Sequence, residues 1–151
     1  MNDNSQHTDY VTFTTAGQIF GLPIKRVEDV FKPAQITRVP LAGPQIAGVL
    51  NLRGRIVTAI DMRSRLDLHA REDGRAPMAI GVESRGESFG LLVDALGEVL
   101  KLPDGEREEN PINFDRSLAR VSAGVYRLDG QLLVVLDIDR VLDLRTEAAA
   151  A

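Results

Sequence analysis

The chain contains no cysteine and no tryptophan, and only two histidines among its 151 residues. Without cysteine, disulfides and thiolate metal sites are excluded. His7 lies in a polar start and His69 in a charged segment, neither with a partner at metal-ligand spacing, so no metal or other cofactor is expected. Aromatic residues make up 5% of the chain and the net charge is −4. Stacking platforms and a basic surface are therefore both missing, and nucleic acid is not an expected partner. No apolar run is long enough to cross a bilayer, and the first ten residues lack the apolar centre of a signal peptide. A cytoplasmic protein without direct membrane contact is expected. No serine sits in a nucleophile elbow and no glycine-rich phosphate loop follows a strand, which argues against an enzyme.

What the chain does contain is a duplication. Residues 47–68, AGVLNLRGRIVTAIDMRSRLDL, align without a gap with residues 123–144, AGVYRLDGQLLVVLDIDRVLDL, at an offset of 76. Upstream, at an offset of 69, Phe20-Gly21-Leu22 matches Phe89-Gly90-Leu91, and Val30-Phe31-Lys32 matches Val99-Leu100-Lys101. Two similar units follow from this. Each unit has about 70 residues, near the lower limit for an independent core, so the halves are expected to bury surface against each other. Within the repeat one exposed word differs: Arg53 stands where the second copy has Asp129.

Turn punctuation divides each unit into short strands. Strands are expected at 10–15, 18–22, 36–39, 48–52 and 55–60, and again at 78–83, 88–94, 124–128 and 131–136. Short helices should follow at 62–68 and 138–144. The expected fold is all-β with short helices, as two five-stranded barrels related by a pseudo-two-fold rather than a parallel sheet. Whether terminal strands are exchanged between the halves is left open. The expected division is a disordered start (1–9), a first subdomain (10–68), a linker (69–76), a second subdomain (77–144) and a tail (145–151), with an exposed loop at 104–110.

The hairpins are apolar on both faces. With two-residue loops, one face of the first carries Leu50, Leu52, Val57 and Ala59, and the other Val49, Ile56 and Ile60. In the second, Leu128, Leu133 and Val135 oppose Val125, Leu132 and Leu136. A half-solvated sheet would alternate apolar and polar residues. One face should therefore line a barrel core, and the other should meet the sister barrel or a protein partner. Asp61 and Asp137 invite comparison with a shared-proton carboxylate pair, but each stands where a helix N-cap belongs. Arg53, Arg55, Arg63 and Arg65 form the only local basic cluster, and a solvated face accounts for the last three. Arg53 differs, because a tight hairpin wants positive φ at that position and arginine there costs about 1–2 kcal/mol. Gly54 and Gly130 complete the two turns.

At these residues the chain resembles the CheW family of bacterial chemotaxis coupling proteins. The resemblance is carried by Pro40, the run Ile46-Ala47-Gly48-Val49-Leu50-Asn51-Leu52-Arg53-Gly54, Val57 and Asp61. Phe20-Gly21-Leu22-Pro23-Ile24, Val27-Glu28-Asp29-Val30, Gly90-Leu91-Leu92-Val93-Asp94 and Glu98-Val99-Leu100 extend it over roughly residues 10–144. It implies two packed SH3-like barrels and a non-catalytic adaptor. Such an adaptor would couple the cytoplasmic tip of chemoreceptors to the regulatory domain of the histidine kinase CheA, within membrane-associated arrays. Docking is implied at Val27, Gly48 and Arg53, and the expected site takes in their neighbours Asp29, Val30, Asn51 and Leu52. A second kinase contact is expected at Glu108 and Phe114. Thr58 stands where the family usually has proline and Met62 where leucine is common, which leaves open the chemosensory pathway, pilus-based motility included. Self-association within arrays is also left open.

Overall fold

The computed structural model describes residues 6–68 and 76–143. The first half contributes β1 (His7–Thr15), β2 (Gln18–Pro23), a 3₁₀ turn (Ile24–Arg26), β3 (Val27–Phe31), β4 (Ile46–Leu52), β5 (Arg55–Asp61) and α1 (Met62–Arg65). The second contributes β6 (Met78–Ser84), β7 (Glu87–Val93), β8 (Ala95–Pro103), a 3₁₀ turn (Asp104–Glu106), α2 (Arg116–Val121), β9 (Ser122–Leu128), β10 (Gln131–Leu136) and α3 (Ile138–Val141). These strands form two five-stranded sheets, ordered β8-β1-β2-β10-β9 and β3-β6-β7-β5-β4.

The sheets do not follow the division at 10–68 and 77–144. The β1–β2 hairpin crosses over to join β8, β9 and β10, while β6 and β7 join β3, β4 and β5. Each sheet is mixed, because the exchanged hairpin docks through one parallel pair: β5 with β7 in one sheet and β10 with β2 in the other. The exchange has a physical reason. A half of this size buries too little surface alone, and interlocking the hairpins makes the two halves share one core.

The registers reproduce the sequence duplication. Thr58 and Ala59 pair with Phe89 and Gly90, while their repeat equivalents Val134 and Val135 pair with Phe20 and Gly21. Outside the strands, Thr37 bridges Val49 and Glu108 bridges Val125.

Three apolar clusters result. The central one lies between the sheets and takes Phe13, Phe20, Leu22, Ile60, Ile80, Val82, Leu91, Val125, Val134 and Leu136, with Met62, Leu66, Val121, Ile138 and Val141 from the helical segments. A second holds Leu50, Val57, Ala59, Ala79 and Leu92, with Leu52 and Phe31 against it. The third holds Tyr10, Tyr126, Leu133 and Val135, with Leu128 against it. The two apolar faces of each hairpin thus go to different clusters, one to its own sheet's small core and the other to the central core. Ile56 is the departure, lying exposed on the outer face of β5.

Other differences are local. β1 begins at His7, where pairing with β8 orders residues 7–9 that composition alone marks as disordered. The segment 36–39 is no strand and contributes the single Thr37 bridge. The helices α1 and α3 are one turn each, shorter than 62–68 and 138–144. The expected linker, apart from residue 76, and the tail at 145–151 lie outside the described residues.

Candidate functional site

Register places Leu52 opposite Arg55, so Arg53-Gly54 is a two-residue loop. Both residues have positive φ, +54° and +84°, the geometry of a type I′ turn. The amide of Gly54 donates to Asn51 Oδ1 at 2.9 Å, closing the turn. Arg53 is not unique in its strain: Ala16 (φ +51°) and Arg85 (φ +53°) precede glycines in the same conformation. The sister turn is built differently, since only Gly130 (φ +79°) occupies that region and Asp129 does not. Backbone strain therefore does not single out Arg53.

Its position does. The Arg53 side chain is 79% exposed, and its Nη1 lies 3.6 Å from Oδ2 of Asp29, which is 24% exposed on β3. Beside it, Arg55 Nη2 lies 3.7 Å from Glu28 Oε1. β3 and β4 are opposite edges of their sheet. Two ion pairs between β3 and the β4–β5 hairpin mean that the sheet curls until its edges approach. Two residues 24 positions apart in sequence, Asp29 and Arg53, thereby form one charged patch.

Glu28 sits in a second charged group. Its carboxyl is held above the usual carboxylate range, chiefly by a hydrogen bond with Glu83, against the opposing pull of Arg55. Lys25, Arg26, Glu28, Glu83, Ser84, Arg85 and Asp139 line an open polar cleft of about 520 Å³. Arg26 Nη2 spans part of it, 3.4 Å from Asp139 Oδ1. Sequence reasoning missed this cleft because its residues come from both halves and meet only through the exchanged strands.

The remaining expected site residues fall into two sets. Val30 is exposed, and Val27 is half-buried against the central core. Gly48, Asn51 and Leu52 instead serve the hairpin. A Cβ on Gly48 (φ +149°) would overlap the carbonyl oxygen of Thr37 and lie 2.7 Å from Ile36 Cγ2. The close approach that Gly48 permits is therefore that of its own chain. Gly124 (φ +134°) repeats the device against Arg107 and Glu108. Leu52 packs on the second cluster.

At the expected second contact, Glu108 pairs through its backbone with Val125 and through its carboxylate with Arg127 at 3.1 Å. Phe114 packs against the central core, so its ring is not the projecting apolar group of that loop. Ile112 is, at full exposure.

Asp61 Oδ1 accepts from the amides of Arg63 (3.0 Å) and Ser64 (3.4 Å), capping α1. Asp137 Oδ1 accepts from Arg140 N at 3.3 Å, capping α3. Neither arginine that follows Asp61 is a solvated face, contrary to expectation. Arg63 binds Asp94 in bidentate fashion, at 3.0 Å from Nε and 2.6 Å from Nη2. Arg65 is buried, and donates from Nε to the carbonyl of Val141 (2.7 Å) and from Nη2 to that of Arg140 (3.0 Å). It completes the C-terminus of the opposite half's helix. Among the described residues no three His, Asp or Glu side chains gather to hold a metal ion, and no helix is long and apolar enough to cross a membrane.

Fold and site together define a duplicated, mostly β domain whose accessible charge is concentrated on one hairpin and the strand it curls against. Residues 9–146 match the CheW-like domain family, and the chain belongs to it. The chemotaxis protein CheW of Rhizobium meliloti is 28% identical, over 94% of this chain and 92% of its own. The crystal structure of the scaffolding protein TtCheW from Thermoanaerobacter tengcongensis superposes with a TM-score of 0.81 at 29% identity, covering 91% of this chain and 89% of that one. The chemotaxis protein CheA of Salmonella typhimurium is 25% identical over 95% of this chain, which spans 21% of CheA.

Proposed function

We propose that this chain is a non-catalytic adaptor that couples chemoreceptors to the histidine kinase CheA in bacterial chemotaxis. The observation that carries the reading is the CheW-like match across residues 9–146. In this reading each curled sheet is an SH3-like barrel, and the protein is cytoplasmic, recruited to membrane-associated arrays through its partners. The regulatory domain of CheA docks on the charged end of the first barrel, where Arg53 offers a guanidinium fork to a partner carboxylate or carbonyl. Asp29 holds that fork before docking, and Val27 and Val30 add apolar contact. The receptor tip occupies the groove between barrels. Glu108 belongs to a second kinase contact. Two partner surfaces on one rigid body suit such a role, because a signal then passes as differential contact with two states of an assembly.

The test must separate docking by Arg53 from its internal pairing with Asp29. Calorimetry with the CheA regulatory domain is expected to show about a tenfold or greater loss for Arg53→Asp. The charge swap Arg53→Asp with Asp29→Arg restores the internal pair. It is expected to leave binding weak. Recovery of affinity in the swap would reduce Arg53 to a structural role.

A further inference from the structure

Leu41 is the most exposed large apolar residue described, at 105% of its reference surface, and it has φ +66°. The amide of Ala42 donates to the carbonyl of Val39 at 3.2 Å, so Val39-Pro40-Leu41-Ala42 is a turn with proline second and Leu41 third. In a type II turn that third position calls for glycine or asparagine. A leucine there bears the left-handed strain and gains nothing from burial. Neither the fold nor solubility explains the residue, and strain at an exposed position marks function.

The duplication strengthens this. Thr37 and Glu108 are the equivalent bridging residues of the two halves, on Val49 and Val125. Four residues beyond each comes a proline followed by a branched aliphatic: Pro40-Leu41 and Pro111-Ile112, the latter also at full exposure. Each such residue flanks an outermost strand of its sheet, β4 or β9. Leu41 lies beyond the start of β4 and Arg53 at its end, so the two bracket one free edge of the first sheet.

We infer that Leu41 is an apolar anchor for the kinase, inserting into a socket on CheA's own CheW-like region. This rests on the adaptor reading above. The occupant is chosen because CheA aligns with 95% of this chain, and so carries a region built on the same repeat. An edge that this fold presents as a strained apolar knob beside a charged hairpin has its natural complement in a second domain of that kind. A lone exposed leucine would need no explanation; a strained one, duplicated and placed at a sheet edge, does.

Leu41→Gly and Leu41→Asn both remove the knob and suit positive φ. Both are expected to unfold at a denaturant concentration equal to or above that of the wild-type chain, and to bind the CheA regulatory domain about tenfold or more weakly. A lowered unfolding midpoint in both variants would show that Leu41 serves the fold, and would overturn the inference. So would unchanged kinase affinity where the wild-type chain binds, with the adaptor reading left standing. If the wild-type chain fails to bind the kinase domain, both readings fall. Loss of self-association, measured by sedimentation with kinase affinity intact, would assign the knob to a second copy and overturn the occupant named here.

Discussion

Gly48 shows how a residue can carry a family signature for a reason internal to the chain. Its φ of +149° and the carbonyl of Thr37 where a Cβ would go leave room for glycine alone. Gly48→Ala should cost about 3 kcal/mol or more, since it combines overpacking against backbone with a strained conformation. Gly54 has positive φ but nothing within 4 Å of its Cβ position. Gly54→Ala should cost only about 1–2 kcal/mol. Urea unfolding of the two variants checks the contrast, and equal losses would contradict it. Any loss of partner binding by Gly48→Ala should therefore track the fraction unfolded. Arg53 is the opposite case. Its strain is shared with Ala16 and Arg85, so exposure and its pairing with Asp29 distinguish it, not its backbone.

At the scale of elements, one-turn helices are held by charges rather than by length. Arg65 reaches from α1 to the carbonyls of Arg140 and Val141 at the end of α3, and so ties the halves together. Arg65→Met should cost about 2–3 kcal/mol, because it leaves buried acceptors without that donor. Arg127→Met, at a largely exposed ion pair, should stay within about 0.5 kcal/mol. Chemical denaturation distinguishes them, and a neutral Arg65→Met would contradict the account. On the β3–β6 pair, Glu28 is raised above its ordinary value of 4.5 by its hydrogen bond with Glu83. A raised carboxyl binds its proton more readily in the folded chain. Its contribution to stability is therefore fully present below the unfolded pKa and lost as pH rises through the folded one. A carbon-detected NMR titration of Glu28 should show a midpoint above 4.5 that falls in Glu83→Gln. An unchanged midpoint would remove Glu83 as the cause.

The hairpins were legible in the sequence because their apolar faces are complete on both sides. β3 was not, because Asp29 faces inward with Val27 and Phe31 and breaks the alternation that marks a strand. α2 is six residues long, too short for a helical period to emerge. The exchanged hairpins were invisible for a different reason. Strand composition specifies that a strand is buried on both faces, not which half of the chain supplies its neighbour.

At the scale of the molecule, the duplication organises everything except the site. Matched registers, matched glycines and matched bridges build two equivalent sheets around a shared core. Onto this symmetric frame the chain places unlike surfaces: Arg53 and Asp29 on one half, Asp129 and the Glu108–Arg127 pair on the other. An object with two similar ends of different chemistry can hold two partners, or two sites of one partner, without their competing. Part of the candidate site was legible beforehand, since Arg53, Asp29 and Val30 are where a partner can reach them. Phe114 was misplaced, because a loop aromatic cannot be told from a core aromatic until the segment that packs it is known.

The most direct test is co-sedimentation of this chain with receptor signalling fragments and CheA, wild type against Arg53→Asp. Arg53 is 79% exposed, so the substitution should leave the unfolding midpoint nearly unchanged. The account predicts ternary assembly with the wild-type chain and loss of CheA from the pellet with the variant, while the chain itself still sediments with receptor. Normal ternary assembly by an Arg53→Asp chain that folds as well as wild type would contradict it.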